Sequence, residues 1–174
     1  VLDYIYAVTY SRTYRVRYEQ FLRSDYPRIP FVSDPAMFWR LRDLGHQLVD
    51  LHTLRAAALD SGPAVAPTNG TNRIDKITVS KRWVESDDHG GGYLVLNLDG
   101  GADGGIQILP NVTREVWGFH IGGHPVLHKW LDARNSETLT YDEAIHLVRM
   151  VNAIQRTIEV QDEIEEWLSD WPLS

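Results

Sequence analysis

The 174-residue sequence contains no cysteine and no long apolar segment. Without cysteine the chain can form no disulfide, no thiolate zinc site and no cysteine nucleophile. No apolar run approaches the roughly 18 residues that a membrane-spanning helix requires. From these absences we expect a cytoplasmic protein with no membrane partner. The chain begins with Val1 and not with Met, so we also expect a fragment of a longer polypeptide.

Acidic residues outnumber basic ones, because the sequence has 24 Asp and Glu residues but only 17 Lys and Arg residues. The net charge is −7. This balance is unfavourable for a free-standing nucleic-acid binder. The charge is uneven along the chain: residues 1–60 carry eight arginines and seven acids, whereas residues 111–174 carry five basic and eleven acidic groups. The acidic run from Glu159 to Asp170 is typical of a solvated helix face. A basic surface elsewhere therefore stays compatible with the sequence.

Hydrophobic periodicity predicts two helical stretches in the first third of the chain. Apolar residues recur at three- and four-residue steps over 3–23, with a break near Ser11. Prolines at 27 and 30 exclude a helix between these stretches. A second helix begins at a cap on Ser33 or Asp34, with Pro35 in its first turn, and runs to about Arg55.

The middle of the chain predicts a small sheet, and the end predicts a long helix. Three strand candidates, separated by glycine-rich connections, are typical of an antiparallel meander. Thr140 and Glu143 form a capping box that begins the last helix. The prediction is a single α+β domain over 1–174, with N-terminal helices, a small central antiparallel sheet and a long C-terminal helix. Its parts are a helical part over 1–55, a loop and sheet over 56–110 (strands within 74–84, 93–98 and 106–109), and a turn motif with helices over 111–174 (irregular over 113–123, a short helix over 125–133).

Motifs that indicate catalysis are missing, since there is no phosphate-binding loop, dinucleotide fingerprint or nucleophile elbow. His120, His124 and His128 have the four-residue spacing of zinc ligands on a helix. Paired glycines and a proline within this segment exclude one continuous helix, so we predict no metal site and no catalytic residue. A metal-dependent enzyme using these histidines remains an alternative. Trp117 is a candidate for a partner surface.

Four segments, taken in order, resemble the C-terminal target-recognition region of single-chain (type ISP) restriction–modification enzymes and large N6-adenine DNA methyltransferases. The segments are DYIYAVTYSRTYRVRYEQFL, DYPRIPF, EVWGFHIGGHPVLHKWLDAR and LTYDEAIHLVRMVNAI. In that family the N-terminal parts supply an ATP-driven motor, a nuclease and an S-adenosylmethionine-dependent methyltransferase, and the C-terminal domain selects the DNA sequence. This chain has neither the methyltransferase's Asn/Asp-Pro-Pro-Tyr motif nor the motor's phosphate loop.

The resemblance implies a double-stranded DNA recognition module of a phage-defence enzyme, non-catalytic by itself and without a cofactor of its own. S-adenosylmethionine, ATP and Mg are implied for the other domains. The expected partners are the DNA and the upstream methyltransferase and motor domains of the same polypeptide. The chain departs from the family at His124, where an aromatic residue is usual, and after the KWL motif, where only Arg134 remains of a basic stretch.

DNA binding of this kind needs two sets of side chains. Cationic groups that hold phosphates position the duplex without reading it, and donors that reach base edges read the sequence. The phosphate candidates are Arg12, Arg15, Arg28, Lys129 and Arg134. The base-reading candidates are Lys76, Lys81, Arg82, Asn97 and Gln107, taken from the least family-like segment. For Lys81 and Arg82 an ordinary charged sheet edge is the alternative.

A protein–protein interaction domain is the main alternative function. The acidic C-terminal helix would dock onto another subunit or onto the motor domains, and the net charge of −7 favours this hypothesis. Salt sensitivity separates the two, because a module with several phosphate contacts loses affinity steeply with salt and an apolar dock does not.

Overall fold

A computed structural model describes residues 1–168 and shows an α+β architecture, as predicted. The described chain divides into two compact units, one formed by Val1–Ala56 with residues 156–168, the other by Ala57–Gln155. The described helices are α1 (Leu2–Tyr10), α2 (Arg12–Arg17), α3 (Glu19–Ser24), α4 (Pro35–His52), α5 (Val79–Arg82), α6 (Arg114–Trp117), α7 (Val126–Asp132) and α8 (Tyr141–Leu168). The described strands are β1 (Trp83–Val84), β2 (Tyr93–Asn97), β3 (Gln107–Pro110), β4 (His120–Ile121) and β5 (His124–Pro125).

The predicted break in the first helical stretch occurs at Ser11. This residue is extended, with φ −60° and ψ 134°, and its buried hydroxyl accepts a hydrogen bond from the Tyr14 amide. A serine oxygen in that position satisfies one of the free amides at a helix start. The stretch therefore folds as three short helices, because a second interruption follows at Tyr18.

Helices α1 and α4 pack closely, and Gly45 makes the contact possible. A Cβ atom at Gly45 would lie 1.8 Å from the Asp3 carbonyl oxygen, so only glycine fits. Tyr4 stacks against Phe31 and Phe38 beside this contact. The first unit is thus built on an intimate helix–helix contact with an aromatic cluster.

The predicted start of α4 is confirmed. The Asp34 side chain accepts a hydrogen bond from the Ala36 amide, and Pro35 occupies the first turn. The segment before it is not helical, and the Tyr4 and Tyr14 hydroxyls donate to the carbonyls of Pro30 and Arg28. The helix ends at His52, slightly before the predicted end near Arg55.

The predicted antiparallel meander is confirmed in the second unit, where the strand order is β1-β2-β3. The register pairs Leu94 with Leu109, and both side chains are buried. The long first strand over 74–84 was wrong, because only Trp83–Val84 pairs with β2 and the four residues before it form α5. The helical turn brings the Arg82 side chain beneath β2, and this tertiary contact overrides the strand preference of the neighbouring β-branched residues.

The segment over 113–123 is more ordered than predicted. It contains α6 and the first strand of a two-stranded hairpin, β4–β5, whose turn is Gly122-Gly123. The capping box at the start of α8 is confirmed, since the Thr140 hydroxyl accepts from the Glu143 amide while the Glu143 carboxylate accepts from the Thr140 amide. Within residues 1–168, no helix has the length and apolarity that crossing a membrane requires.

Candidate functional site

Arg82, a predicted base-reading residue, lies inside the second unit with 2% of its surface exposed. Its guanidinium donates to the carbonyl oxygens of Val95 at 3.0 Å, Leu96 at 3.3 Å and Asp75 at 2.6 Å. Burial lowers the pKa of Arg82, and the nearby carboxylates of Asp132 and Asp75 act in the opposite direction. An arginine stays charged under such conditions. Arg82 therefore holds α5 and the Asp75 segment against β2.

Asn97 and Gln107, two further base-reading candidates, are fully buried and hydrogen-bonded to each other at 2.8 Å across β2 and β3. The Asn97 side chain also donates to the Arg73 carbonyl and accepts from the Gly100 amide. The Gln107 amide group donates to the Thr68 carbonyl. Together the two side chains tie the loops on either side to the sheet.

Base reading by Arg82, Asn97 and Gln107 would require these hydrogen bonds to be broken, and their buried partners would be left unsatisfied. The hydrogen bonds of these three side chains within the second unit therefore leave base reading to exposed residues. The remaining two candidates, Lys76 and Lys81, are exposed. Lys81 lies on α5 next to Arg82, so one turn directs one cation outward and one inward.

Three of the phosphate candidates lie in the first unit and differ in availability. Arg12 is held by Asp162 at 2.6 Å, although half of its side chain is exposed. Arg15 donates to the Ser11 carbonyl, and its guanidinium lies over the Tyr10 ring. The Arg28 side chain is 84% exposed, and its ion pair with Asp25 is long at 3.9 Å. Arg28 is therefore the candidate most available to a ligand in this unit.

The other two phosphate candidates lie in the second unit. Arg134 covers the Trp130 ring at 3.9 Å and pairs with Glu143 at 3.4 Å, which secures the start of α8. Lys129 is exposed, and its ammonium donates to the Nδ1 atom of His124 at 2.7 Å. Of the two, Lys129 is therefore the one whose exposed charge is not paired with a carboxylate of the described chain.

The three histidines considered for a metal site have separate environments. His120 bonds through Nδ1 to the Gly118 carbonyl, and His124 accepts from Lys129. The His128 ring lies against the Trp117 ring, with centroids 3.7 Å apart and the ring planes tilted by 33°. Burial lowers the pKa of His128, the hydrogen bond to the Trp117 backbone raises it, and His120 nearby lowers it further. In the part of the chain that the structure describes, no three His, Asp or Glu side chains are close enough to hold a metal ion. Trp117, predicted at a partner surface, is buried at 8% exposure.

Sequence reasoning missed the β4–β5 hairpin and the pairing of His124 with Lys129. The signal was present, because two glycines between short extended segments are typical of a two-residue hairpin turn. Both glycines have positive φ, +54° at Gly122 and +79° at Gly123. The paired glycines were expected to exclude a continuous helix, and in the structure they reverse the chain between β4 and β5.

The sequence profile of the type ISP C-terminal specificity domain matches residues 1–166. Among curated proteins, none matches the chain. Solved structures with a similar fold include a nuclease-deletion mutant of the type ISP restriction–modification enzyme LlaGI in complex with a DNA substrate mimic, with a TM-score of 0.60 and 19% identity. The ATP-dependent type ISP enzyme LlaBIII bound to DNA has a TM-score of 0.61 and 17% identity. A DrdV–DNA complex has a TM-score of 0.54 and 20% identity.

These similarities cover most of this chain and a small part of each larger protein. The LlaGI and LlaBIII alignments each cover 94% of this chain, and the DrdV alignment covers 99%. The chain spans 16% of the LlaGI chain, 11% of the LlaBIII chain and 18% of the DrdV chain. The similarity therefore concerns one portion of those enzymes.

Proposed function

The chain belongs to the family of type ISP C-terminal specificity domains, and from that premise we propose that it recognises a specific double-stranded DNA sequence for a restriction–modification enzyme. The observation that carries the proposal is the family match over residues 1–166. The structural neighbours, each described in complex with DNA or a DNA mimic, support it. The catalytic steps take place in other domains of the parent polypeptide.

Phosphate contacts come chiefly from cations that are exposed and weakly paired. Arg28 in the first unit and Lys129 in the second fit this description best, and Arg15 is a further candidate. Arg12 contributes by exchanging Asp162 for a phosphate. Arg134 has a structural task at α8, which leaves its guanidinium a smaller part in DNA binding.

Base reading falls to Lys76 and Lys81, which are the exposed candidates of the segment around the sheet. A lysine in the major groove donates to the O6 and N7 acceptors of guanine. The buried amides of Asn97 and Gln107 contribute indirectly to base reading, because they hold the loops that surround the sheet.

The protein-interaction alternative depends on a free acidic helix, and several of its acids have partners within the first unit. Asp162 pairs with Arg12, Glu163 pairs with Arg40, and the Glu165 carboxylate accepts from the Arg12 amide and the Thr13 hydroxyl. These contacts favour an internal role for the acidic run. Asp170, the last acid of the run, lies outside the described residues.

The parent enzyme would supply what this chain does not contain. S-adenosylmethionine, ATP and Mg belong to the methyltransferase, motor and nuclease domains, and we propose that these domains and the DNA are the partners of this chain. Cytoplasmic phage defence is the corresponding setting. Whether the parent enzyme cleaves or only methylates does not alter the role proposed here.

The test is selection of bound sequences from a randomised duplex pool at low salt, using this chain alone and within its parent polypeptide. Enrichment of one asymmetric sequence is the expected result, and the affinity for it should fall steeply with salt concentration. Enrichment only within the parent would mean that the chain contributes sequence specificity, while the other domains of the parent supply most of the affinity for DNA. Absence of enrichment in both would overturn the proposal in favour of the interaction domain.

Two variants that each remove one positive charge separate reading from positioning. We expect Lys81→Gln to relax the preference at one base pair, by about 1–3 kcal/mol of discrimination. Arg28→Gln should weaken binding to all sequences alike and lower the salt slope by about 1. A uniform loss in Lys81→Gln would remove Lys81 from the base-reading set.

A further inference from the structure

The β4–β5 hairpin is an exposed feature on a fixed base in the second unit. At its base Trp117 is buried against His128, and the Phe119 carbonyl accepts from the Val126 amide. At its tip Ile121 is 49% exposed. A Cβ atom added at Gly122 or Gly123 would meet nothing within 4 Å, so no part of the described chain covers the turn. The base of the hairpin is therefore held by contacts within the second unit, while its tip is accessible to solvent.

The hydrogen bond between Lys129 and His124 fixes the direction of both groups. An ammonium has only donors, so the His124 Nδ1 atom must accept, and the ring proton lies on Nε2. Lys129 then keeps two N–H groups for a ligand, and His124 presents a third donor through Nε2. Both side chains are exposed. The pair offers donors only, together with one net positive charge.

The charge of Lys129 has no internal partner among residues 1–168. Asp132 lies three positions further along α7, yet no carboxylate of the described chain forms an ion pair with the ammonium. The arginines Arg12, Arg134 and Arg149, in contrast, all pair with acids. An unpaired cation beside an oriented imidazole donor suits a ligand with several acceptor oxygens and negative charge, which describes a phosphate group.

We infer that Lys129 and His124 together bind a single backbone phosphate of the DNA, through the Lys129 ammonium and the His124 Nε2–H group. This inference rests on the proposed function, because it takes DNA as the source of the phosphate. The contact is independent of base sequence, since a phosphate carries no sequence information. Because the hairpin is already ordered, binding costs little conformational entropy. His124 thereby gains a role that its position in the turn did not indicate.

The experiment measures duplex affinity at several salt concentrations for Lys129→Gln, His124→Ala and the double variant. The charge-matched control is Arg55→Gln, an exposed arginine outside every candidate set. The chain is used alone and within its parent polypeptide, with the selected duplex and a scrambled one. Circular dichroism melting checks that each variant is folded, and both mutated residues are exposed.

We expect Lys129→Gln to lose roughly tenfold in affinity for both duplexes, as for one charge-assisted hydrogen bond, and to lower the salt slope by about 1. His124→Ala should show a smaller uniform loss. The double variant should lose less than the sum of the two single losses, because the two groups hold the same phosphate. Lys129→Arg, which keeps the charge, should recover part of the affinity.

Three results would overturn the inference while the proposed function stands. They are losses no larger than that of Arg55→Gln, fully additive losses in the double variant, or a changed preference at one base pair. Failure of the unmodified chain and of its parent polypeptide to bind any duplex would instead overturn the proposed function itself. The two failures are thus distinguishable in the same set of measurements.

Discussion

At the residue scale, two neighbouring cations show why residue type alone does not define a role. Lys81 and Arg82 are adjacent in the sequence and were predicted to act alike. In the structure Lys81 is exposed and Arg82 is buried beneath β2. A guanidinium can be buried because its planar fork donates to several carbonyls at once, whereas an ammonium is more strongly hydrated. The burial of Arg82 could not be predicted from the sequence. Its hydrogen-bond partners are backbone carbonyls, which are present whatever the residue type.

The first prediction concerns this buried guanidinium. Arg82→Ala would leave the carbonyls of Val95, Leu96 and Asp75 without their donor and would open a cavity under β2. We expect the free energy of unfolding to fall by about 3 kcal/mol. Urea denaturation followed by fluorescence measures it, with Lys81→Ala as the control that should change stability little. Equal losses in the two variants would contradict the structural role of Arg82.

The second prediction concerns His52 in the first unit. Its ring bonds to the Tyr6 hydroxyl at 2.7 Å and to the Thr157 hydroxyl at 3.2 Å, and burial lowers its pKa. His52 is therefore harder to protonate in the folded chain than in the unfolded chain, where a histidine takes up its proton below about pH 6.5. Stability should fall as the pH drops through that value and should level off below the folded pKa.

Melting temperatures between pH 8 and pH 5 test this linkage. His52→Gln keeps hydrogen-bonding capacity without a titrating group, so its melting temperature should depend less on pH than that of the unmodified chain. Some dependence should remain, because burial also lowers the pKa of His128. A pH profile identical to that of the unmodified chain would show that His52 does not contribute.

At the element scale, local signals were sufficient where the sequence carries caps and breakers. The Asp34–Pro35 start, the break at Ser11 and the Thr140–Glu143 capping box were all predicted and confirmed, because each rests on contacts within one turn. Helix α5 was missed because a distant strand holds Arg82 in place. The β4–β5 hairpin was missed because the segment over 113–123 was predicted as irregular, although its paired glycines suit a tight hairpin turn.

Gly45 provides the third prediction, since it sets the distance between α1 and α4. Replacing a helical glycine by alanine ordinarily stabilises a helix by about 1 kcal/mol. Here the new Cβ would collide with the Asp3 carbonyl, so Gly45→Ala should instead lower the free energy of unfolding by about 3 kcal/mol. Gln47→Ala on the same helix is the control and should be close to neutral. Stabilisation in Gly45→Ala would mean that the helices are further apart than the structure has them.

At the scale of the whole molecule, the way charges are paired reconciles the acidic composition with the proposed DNA-binding role. The excess of acid was reason to consider a protein-interaction domain. Within the first unit, Asp162 and Glu163 on α8 pair with Arg12 and Arg40, so part of the acid neutralises cations of the same unit. The net charge of a sequence includes these acids and arginines but does not show that they form ion pairs with each other. The family and the helical frame were accessible from the sequence, whereas this pairing required the structure.

The fourth prediction follows from that pairing and rests on the proposed DNA binding. The Arg12–Asp162 pair is half-exposed, so its loss should change stability by less than about 1 kcal/mol. Asp162→Asn would release Arg12 for a phosphate, which should raise affinity for non-specific duplex and steepen the salt slope by up to about 1. The control, Asp103→Asn, removes the same charge from an exposed loop where no ion pair of the described chain involves it. If both variants gained affinity equally, net charge alone would explain the gain. A larger gain in Asp162→Asn would show that the acidic helix limits DNA affinity by holding a specific arginine.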